Sequence, residues 1–386
     1  MLTYKTAGES HGKGNAVLID GFPFGVKLDT VFIDGELQRR QSGYGRGGRQ
    51  TIETDKVEIL TGTLHAISMG SPILLWVKNR DYKLEKAPEL TRPRPGHGDL
   101  TGSLKYGSGI RAILERSSAR ETVSRVAAGA LARLLLRELG IEVVGYVTRI
   151  GNVDLTPDPQ IFSKPPQELC AIRDSSSIFS LRVAADSEAE LVIDSAKKSG
   201  NTLGGIIEAR VFNVPFGLGT HTQWSSKLDG RLAQAVMSIQ AIKGFEIGEG
   251  FRLASLLGSQ AHDEILWDET LRESRSLGFV RPTNHAGGLE AGMTNSQPIV
   301  VRAAMKPIPT LFTPLRSVDL DTKEVVEASV ERSDACAVSS ASVILENVVG
   351  FEIAAAVVEK FGGDSLEEIK ARLELFEHSV AKRLGA

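Results

Sequence analysis

The sequence predicts a mixed α+β fold, and three observations carry that prediction. Short runs rich in Val and Ile read as strands, longer stretches repeat apolar residues at helical spacing, and no repeat, low-complexity tract or clear linker divides the chain. The strands are expected at Asn15 to Asp20, Val57 to Gly62, Pro72 to Lys78, Ile141 to Ile150, Gly204 to Val214 and Pro298 to Ala304, several as hairpin neighbours. The clearest helix runs from about Ser118 to Leu139, where Val123, Ala127, Ala130 and Leu134 recur on one face and Gly140 stands where a C-terminal cap belongs. Further helices are expected at Asp29 to Arg40, Glu188 to Lys198, Ser226 to Ser238 and Ala337 to Lys360. A last helix, about residues 365 to 384, opens on the capping-box pair Ser365 and Glu368. It places Leu366, Ile369, Leu373, Phe376 and Val380 at steps of three and four residues. It is expected to pack on the core, with docking on another subunit as the alternative.

At 386 residues, 41% of them hydrophobic and 24% charged, the chain can bury a sizeable core in one large domain or two modest ones; the missing linker favours a single large domain. A net charge of -3 argues against a nucleic-acid or membrane-surface protein, because both need a positive field over the whole surface. Any anion site is therefore local. Cys170 and Cys336 lie far apart without metal spacing, which reads as reduced thiols in a cytoplasmic protein, with no metal site. Met1 to His11 lacks the apolar stretch of a secretory signal. The most apolar segment, Ala341 to Val358, is interrupted by Glu346 and Glu352, so it is expected to be a buried helix rather than a span of about 20 uncharged residues.

The glycines cluster in polar runs, Gly8 to Gly14, Gly43 to Gly48, Gly96 to Gly109 and Gly287 to Gly292, and four such loops suggest one composite site. Two runs hold a histidine between glycines: Gly8-Glu9-Ser10-His11-Gly12 and Arg94-Pro95-Gly96-His97-Gly98-Asp99. A lone loop histidine is more often a solvated bystander, yet a side chain that titrates near neutrality is also the natural proton carrier. Arg39, Arg40, Arg46 and Arg49 are interleaved with glycines, which suits convergence on a phosphate or carboxylate; a basic surface loop is the plain alternative. Arg116, Ser117, Ser118 and Arg120 fall at the start of the expected long helix, where free N–H groups and the dipole favour phosphate, although either serine could simply be an N-cap. Late in the chain come Asn284-His285-Ala286-Gly287-Gly288, Lys306-Pro307-Ile308-Pro309-Thr310 and Arg332-Ser333-Asp334-Ala335-Cys336. Asp334 beside Arg332 reads equally as a base, an ion pair or a helix cap, and Cys336 as a small buried hydrophobe.

In this order the segments resemble the chorismate synthase family: GESHG at Gly8 to Gly12, RRQSGYGRGGR at Arg39 to Arg49, RPGH at Arg94 to His97, ERSSARET at Glu115 to Thr122, SIQAIKGFEIG at Ser238 to Gly248, NHAGG at Asn284 to Gly288, and RSDACAV at Arg332 to Val338. The resemblance implies a sandwich of helices between β layers, a homotetramer, and a lyase of the shikimate pathway in aromatic amino acid biosynthesis. The implied reaction is anti-1,4 elimination of phosphate from 5-enolpyruvylshikimate 3-phosphate, with reduced flavin mononucleotide (FMN) and no net redox change. It implies His11 as general acid to the phosphate, His97 beside the flavin, and Asp334 in relaying the C6 proton. Arg40, Arg46 and Arg120, with Arg332, would neutralise substrate charge. The implied flavin contacts are Arg116, Ser117, Ser118, Gln240, Ala241, Ala291, Lys306, Pro307, Ile308, Pro309, Thr310 and Arg332. Nothing resembles a flavin reductase domain, so reduced flavin is expected from outside, with NADPH as the alternative electron source. The chain departs from the pattern at Gly98, Ala291 and the Ile308-Pro309 pair, which motivates a second reading, a flavoprotein sensor or anion-binding module without turnover. An RNA-binding reading of Arg39 to Arg49 lacks aromatic platforms.

Overall fold

Alternation of apolar and polar residues sets the first layer. In the computed structural model, which describes residues 1–47, 54–331 and 333–384, strands β1 (Thr3–Gly8), β2 (Gly14–Asp20), β3 (Val57–Ile59) and β4 (Ile73–Lys78) form an antiparallel sheet in the order β1-β2-β4-β3. Val17 and Ile19 on β2 are buried with exposed Leu18 between them, and Ile73, Leu75 and Val77 on β4 are buried, so one face of this sheet meets the core. The second sheet is also antiparallel. It holds β5 (Glu142–Ile150), β6 (Val153–Asp154), β7 (Gly205–Phe212), β8 (Ile242–Ile247) and β9 (Ile299–Met305) in the order β8-β9-β7-β5-β6.

The principal helices are α1 (Thr30–Gln41), α2 (Asp99–Tyr106), α3 (Ile110–Ser117), α4 (Thr122–Glu138), α5 (Pro166–Ser175), α6 (Asp186–Lys198), α7 (Leu228–Met237), α8 (Val338–Phe361) and α9 (Leu366–Arg383). Helix α4 lies on the first sheet and α8 on β5 and β7, and the two helices pack on each other, so helices fill the space between two β layers. That is the implied sandwich. Gly129 permits the crossing, since a Cβ there would lie 2.1 Å from the carbonyl oxygen of Asn347. A second, smaller apolar cluster of Val144, Tyr146, Leu169, Leu181 and Phe212 covers the outer face of β5 beneath α5, which is why β5 is buried on both faces and reads as a nearly continuous apolar run. The main core is contiguous from Leu2 to Leu373.

Helix α8 is long and apolar enough to cross a membrane, but 94% of its most apolar window is buried inside the chain, as the sequence predicts for a core helix. Its Glu346 is tolerated there because Arg39, Arg133 and Arg173 reach it at 2.8, 2.7 and 3.1 Å. Glu36 completes the cluster, accepting from Arg39 at 2.6 Å, Arg133 at 2.7 Å and Asn347 at 2.9 Å. Burial opposes ionisation of Glu36 and Glu346, and the surrounding guanidinium groups more than offset it, holding both carboxyls below the usual range.

Three corrections concern the elements. The expected helix from Ser118 begins only at Thr122, as α4: Ser118 is extended and caps a short 3₁₀ turn over Ala119–Glu121, which follows the separate helix α3 ending at Ser117. Part of the Gly96 to Gly109 run is helix α2 rather than loop. Strand β3 stops at Ile59, short of Gly62. Strands β1 and β8, and helices α3 and α5, are short elements that the sequence reading did not pick out. Helix α9 behaves as expected of a packed terminal helix: Leu366, Ile369 and Leu373 are buried and Phe376 stacks edge-on to Phe361 at 5.8 Å. Ser365 Oγ accepts the N–H of Glu368 at 3.3 Å, while the Glu368 carboxylate takes the N–H of Asp364, one residue before the usual box partner.

Candidate active site

Loops from distant parts of the chain meet at a cavity of about 630 Å³. The β1–β2 turn brings Ser10 and His11; the end of α1 and the loop after it bring Arg40, Arg46 and Gly47; the turn before α2 brings Arg94, Gly96 and His97. The α3–α4 junction adds Ser117, Ser118 and Arg120, the connection into β8 adds Gln240 and Ala241, and the chain after β9 adds Lys306, Ile308, Pro309 and Thr310. Asp334 and the first turns of α8 close the cavity. Three of the four glycine runs therefore meet; no residue of the fourth, Gly287 to Gly292, lines the cavity.

Both histidines are backed by a carboxylate. His11 Nδ1 lies 2.9 Å from Glu115 Oε1, and His97 Nδ1 lies 2.5 Å from Asp99 Oδ1. Burial works against the Glu115 charge, but the bonds from the His11 ring and backbone hold its carboxyl below the usual range. Asp99, fully buried, is held low in the same way by His97 and by Arg94, whose Nε and Nη2 donate to it at 2.8 and 3.0 Å. Arg94 also donates to Thr310 Oγ1 at 3.0 Å, which ties the His97 turn to the chain after β9.

A buried cationic pair forms one wall. Arg40 and Arg120, each with a side chain 5% exposed, share the carboxylate of Asp55 at 2.6 and 2.8 Å. Burial pushes the Arg40 guanidinium down to about 10 despite Asp55, so it stays charged at neutral pH at some cost to the fold. Arg46, near enough to Arg40 to repel it, pairs with Asp334 at 2.7 Å, and Asp334 also accepts the N–H of Gly47 at 2.6 Å. Gly45 makes this approach possible: its φ is +88°, its carbonyl accepts the N–H groups of Ala335 and Cys336, and a Cβ there would sit 3.0 Å from that of Cys336. Cys336 is buried, which pushes its thiol up to about 11, in keeping with its reading as a small hydrophobe. With Lys83, Lys86, Arg111 and Lys306 also on the lining, against Asp81, Glu331 and Asp334, the cavity is locally positive in a chain of net charge -3.

The residues expected at the flavin divide. Ser117 Oγ and Gln240 Oε1 are buried in the lining without a hydrogen-bond partner among the described residues, and the cavity volume suits a cofactor beside a small substrate. Ser118, Ala241, Lys306, Ile308, Pro309 and Thr310 join them. Arg116 does not: its guanidinium turns to the carbonyls of Thr6 and Gly8, both at 3.0 Å, and fastens β1 to α3. Pro307 is outside the lining, and Ala291 sits in the turn between two short strands, Leu289–Glu290 and Met293–Thr294, with φ +52°. Gly48, Arg49 and Arg332 lie outside the described residues. Arg39, adjacent to Arg40, points into the Glu36–Glu346 cluster instead.

Sequence reasoning missed the carboxylates behind the chemistry. Asp99 and Glu115 sit inside quoted motifs and could have been noticed as possible histidine partners. Asp55 and Asn79 carry no such signal. Asn79 donates to the carbonyls of Glu9, Ser10 and Gly12 and accepts from Arg120 Nε at 2.9 Å. Among the described residues no group of His, Cys, Asp or Glu is arranged to hold a metal ion.

Comparison with known proteins gives matches over nearly the whole chain. The sequence model described as chorismate synthase matches residues 2–358. A chorismate synthase of Trichlorobacter lovleyi is 51% identical over 96% of this chain and 97% of its own length, and one of Desulforamulus reducens is 49% identical over 98% and 99%. A solved structure described as a crystal structure of chorismate synthase superposes with a TM-score of 0.80 at 39% identity, covering 99% of this chain and 98% of that one.

Proposed function

The chain belongs to the chorismate synthase family and has that family's function as an enzyme of aromatic biosynthesis; from that premise we propose how its cavity works. The reaction is the anti-1,4 elimination of phosphate from 5-enolpyruvylshikimate 3-phosphate, a carbon–oxygen lyase step that yields chorismate. The observation that carries this reading is one cavity with two carboxylate-backed histidines among guanidinium groups that outnumber its carboxylates. A substrate with two carboxylates and a phosphate needs such a lining, because anions leave water only where fixed positive groups replace it.

Arg40 and Arg120, joined by Asp55, and Arg46 bind and orient the anionic groups. His11 gives a proton to the departing phosphate from Nε2, since Nδ1 is engaged by Glu115. His97, fixed by Asp99, holds a proton at the cofactor's side of the cavity, and Asp334, on the wall with Arg46, assists removal of the C6 proton. Reduced FMN would supply reversible electron donation to the ring, with no net redox change. Ser117, Ser118, Gln240, Ala241 and the Lys306 to Thr310 stretch would hold it. The chain works in the cytoplasm as a homotetramer, as one large domain, with its flavin reduced elsewhere rather than by its own use of NADPH.

An anaerobic assay with chemically reduced FMN and 5-enolpyruvylshikimate 3-phosphate, following chorismate absorbance and phosphate release, tests the reading. His11→Ala, His97→Ala and Asp334→Ala should each lose about 10²- to 10⁴-fold in turnover. Full activity in all three would refute the roles, and no chorismate from the wild type would refute the reaction. Oxidised FMN with NADPH alone should not start turnover.

A further inference from the structure

Glu115 closes the C-terminal half of α3 with a side chain only 2% exposed, directly behind His11. Its carboxylate accepts two N–H groups of one residue: Oε2 takes the His11 backbone N–H at 2.7 Å and Oε1 faces Nδ1 at 2.9 Å. The Glu115 carbonyl accepts the N–H of Ser10 at 2.9 Å. From the other side the buried amide of Asn79 donates to the carbonyls of Glu9, Ser10 and Gly12 at 3.1, 3.3 and 2.8 Å. The N–H groups of Ser10 and His11 thus bond to Glu115 and the carbonyls of Glu9, Ser10 and Gly12 to Asn79, so the turn cannot shift without orphaning buried polar groups. Arg111 Nη1 stands 3.7 Å from Glu115 Oε1, and Asp81 Oδ2 stands 3.9 Å from His11 Nε2.

We propose that Glu115 is the positioning residue for His11: it holds the imidazole with its proton on Nδ1 and so presents Nε2 to the cavity as the nitrogen that exchanges a proton with substrate. The inference rests on the general-acid reading of His11. The chemistry is directional, because an ionised carboxylate only accepts, and a neutral ring that bonds to it through Nδ1 must carry its hydrogen there. Protonation at Nε2 then gives an imidazolium with an anionic partner in place, ready to donate.

A carboxamide at this position separates positioning from packing. In Glu115→Gln the backbone N–H of His11 is a donor that cannot change, so the amide oxygen must turn to it and the NH₂ must face Nδ1. The ring answers by moving its hydrogen to Nε2, and an imidazolium loses its partner. A neutral ring is a far poorer acid, so kcat should fall by about 10²- to 10⁴-fold. KM should hold, since Arg40, Arg46 and Arg120 are untouched.

The test is the ring ¹H–¹⁵N spectrum of the whole enzyme labelled with ¹⁵N-histidine, with His11 assigned by its loss in His11→Ala, alongside kcat and KM. In the neutral state the wild type should carry the hydrogen on Nδ1 and Glu115→Gln on Nε2. Glu115→Asp, which keeps the charge on a shorter arm, should retain the Nδ1 pattern and lose less kcat. An unchanged ring pattern in Glu115→Gln, or a wild-type ring with its hydrogen on Nε2, overturns the proposal. The wild-type spectrum needs no variant to fold. A wild type that shows the Nδ1 pattern yet makes no chorismate supports the positioning and overturns the proposed reaction, and with it the acid role of His11.

Discussion

Replacing Asp55 with Asn removes the single negative charge between two buried guanidinium groups while keeping the side chain's shape. Asp55 is fully buried in its side chain and contacts Arg40 at 2.6 Å and Arg120 at 2.8 Å. At an effective dielectric near 20, each attraction is worth about 4 kcal/mol at about 4 Å between charge centres. Part of that is offset because burying the carboxylate has its own cost, which Asn avoids. Breaking a buried ionic group by removing one member costs about 3–5 kcal/mol, and that is the loss in unfolding free energy expected for Asp55→Asn at pH 7. Burial raises the Asp55 carboxyl, Arg40 and Arg120 lower it more, and the net direction is down. A carboxyl lowered in the fold contributes stability above its unfolded value of about 3.9 and loses it as pH falls through the folded value. The difference between wild type and variant should therefore be constant from neutrality down to about pH 5 and shrink in stronger acid. Phosphate should recover more stability in the variant than in the wild type, because an anion then supplies the missing charge. Urea titrations with and without phosphate measure all three effects. A loss below about 1 kcal/mol at pH 7 would show that the triad is solvated rather than buried, and the charge argument for the cavity would fail.

Glu346→Gln should lower unfolding free energy by about 3–5 kcal/mol in the same titration, because Arg39, Arg133 and Arg173 would lose their shared anion; turnover of the folded enzyme should change little, since Glu346 does not line the cavity. Ala291→Gly should relieve about 1 kcal/mol of left-handed backbone strain, partly cancelled by the freer unfolded chain, and give a small rise in the thermal midpoint. Its affinity for reduced FMN should not change, because Ala291 is outside the cavity lining; a clear shift in a fluorescence titration would place that turn at the flavin site. Light scattering should give about four times the 41.5 kDa chain mass for the proposed tetramer.

Much of the scaffold was legible because its cause is local. Val17, Ile19, Ile73, Leu75 and Val77 alternate as a half-buried sheet must, and α8 is apolar all round because it lies between layers. Where a segment's cause is not local the pattern failed. Strand β1 is short, polar and half exposed, and the α3–α4 break at Ser118 depends on packing that no periodicity records.

The candidate site shows the same division. His11, His97 and the arginine-bearing turn announce themselves by glycine settings that hold whatever the rest of the chain does. The sequence by itself determined the family, the layers and the set of side chains able to carry protons and bind anions. Tertiary structure alone decided their partners: Glu115 reaches His11 across 104 residues and Asp55 reaches Arg120 across 65. It also gave neighbouring Arg39 and Arg40 opposite fates, one in the core cluster and one on the cavity wall. The physical reason is that a residue's type states what it can bond, while the field and geometry that select one bond come from groups brought together only by folding.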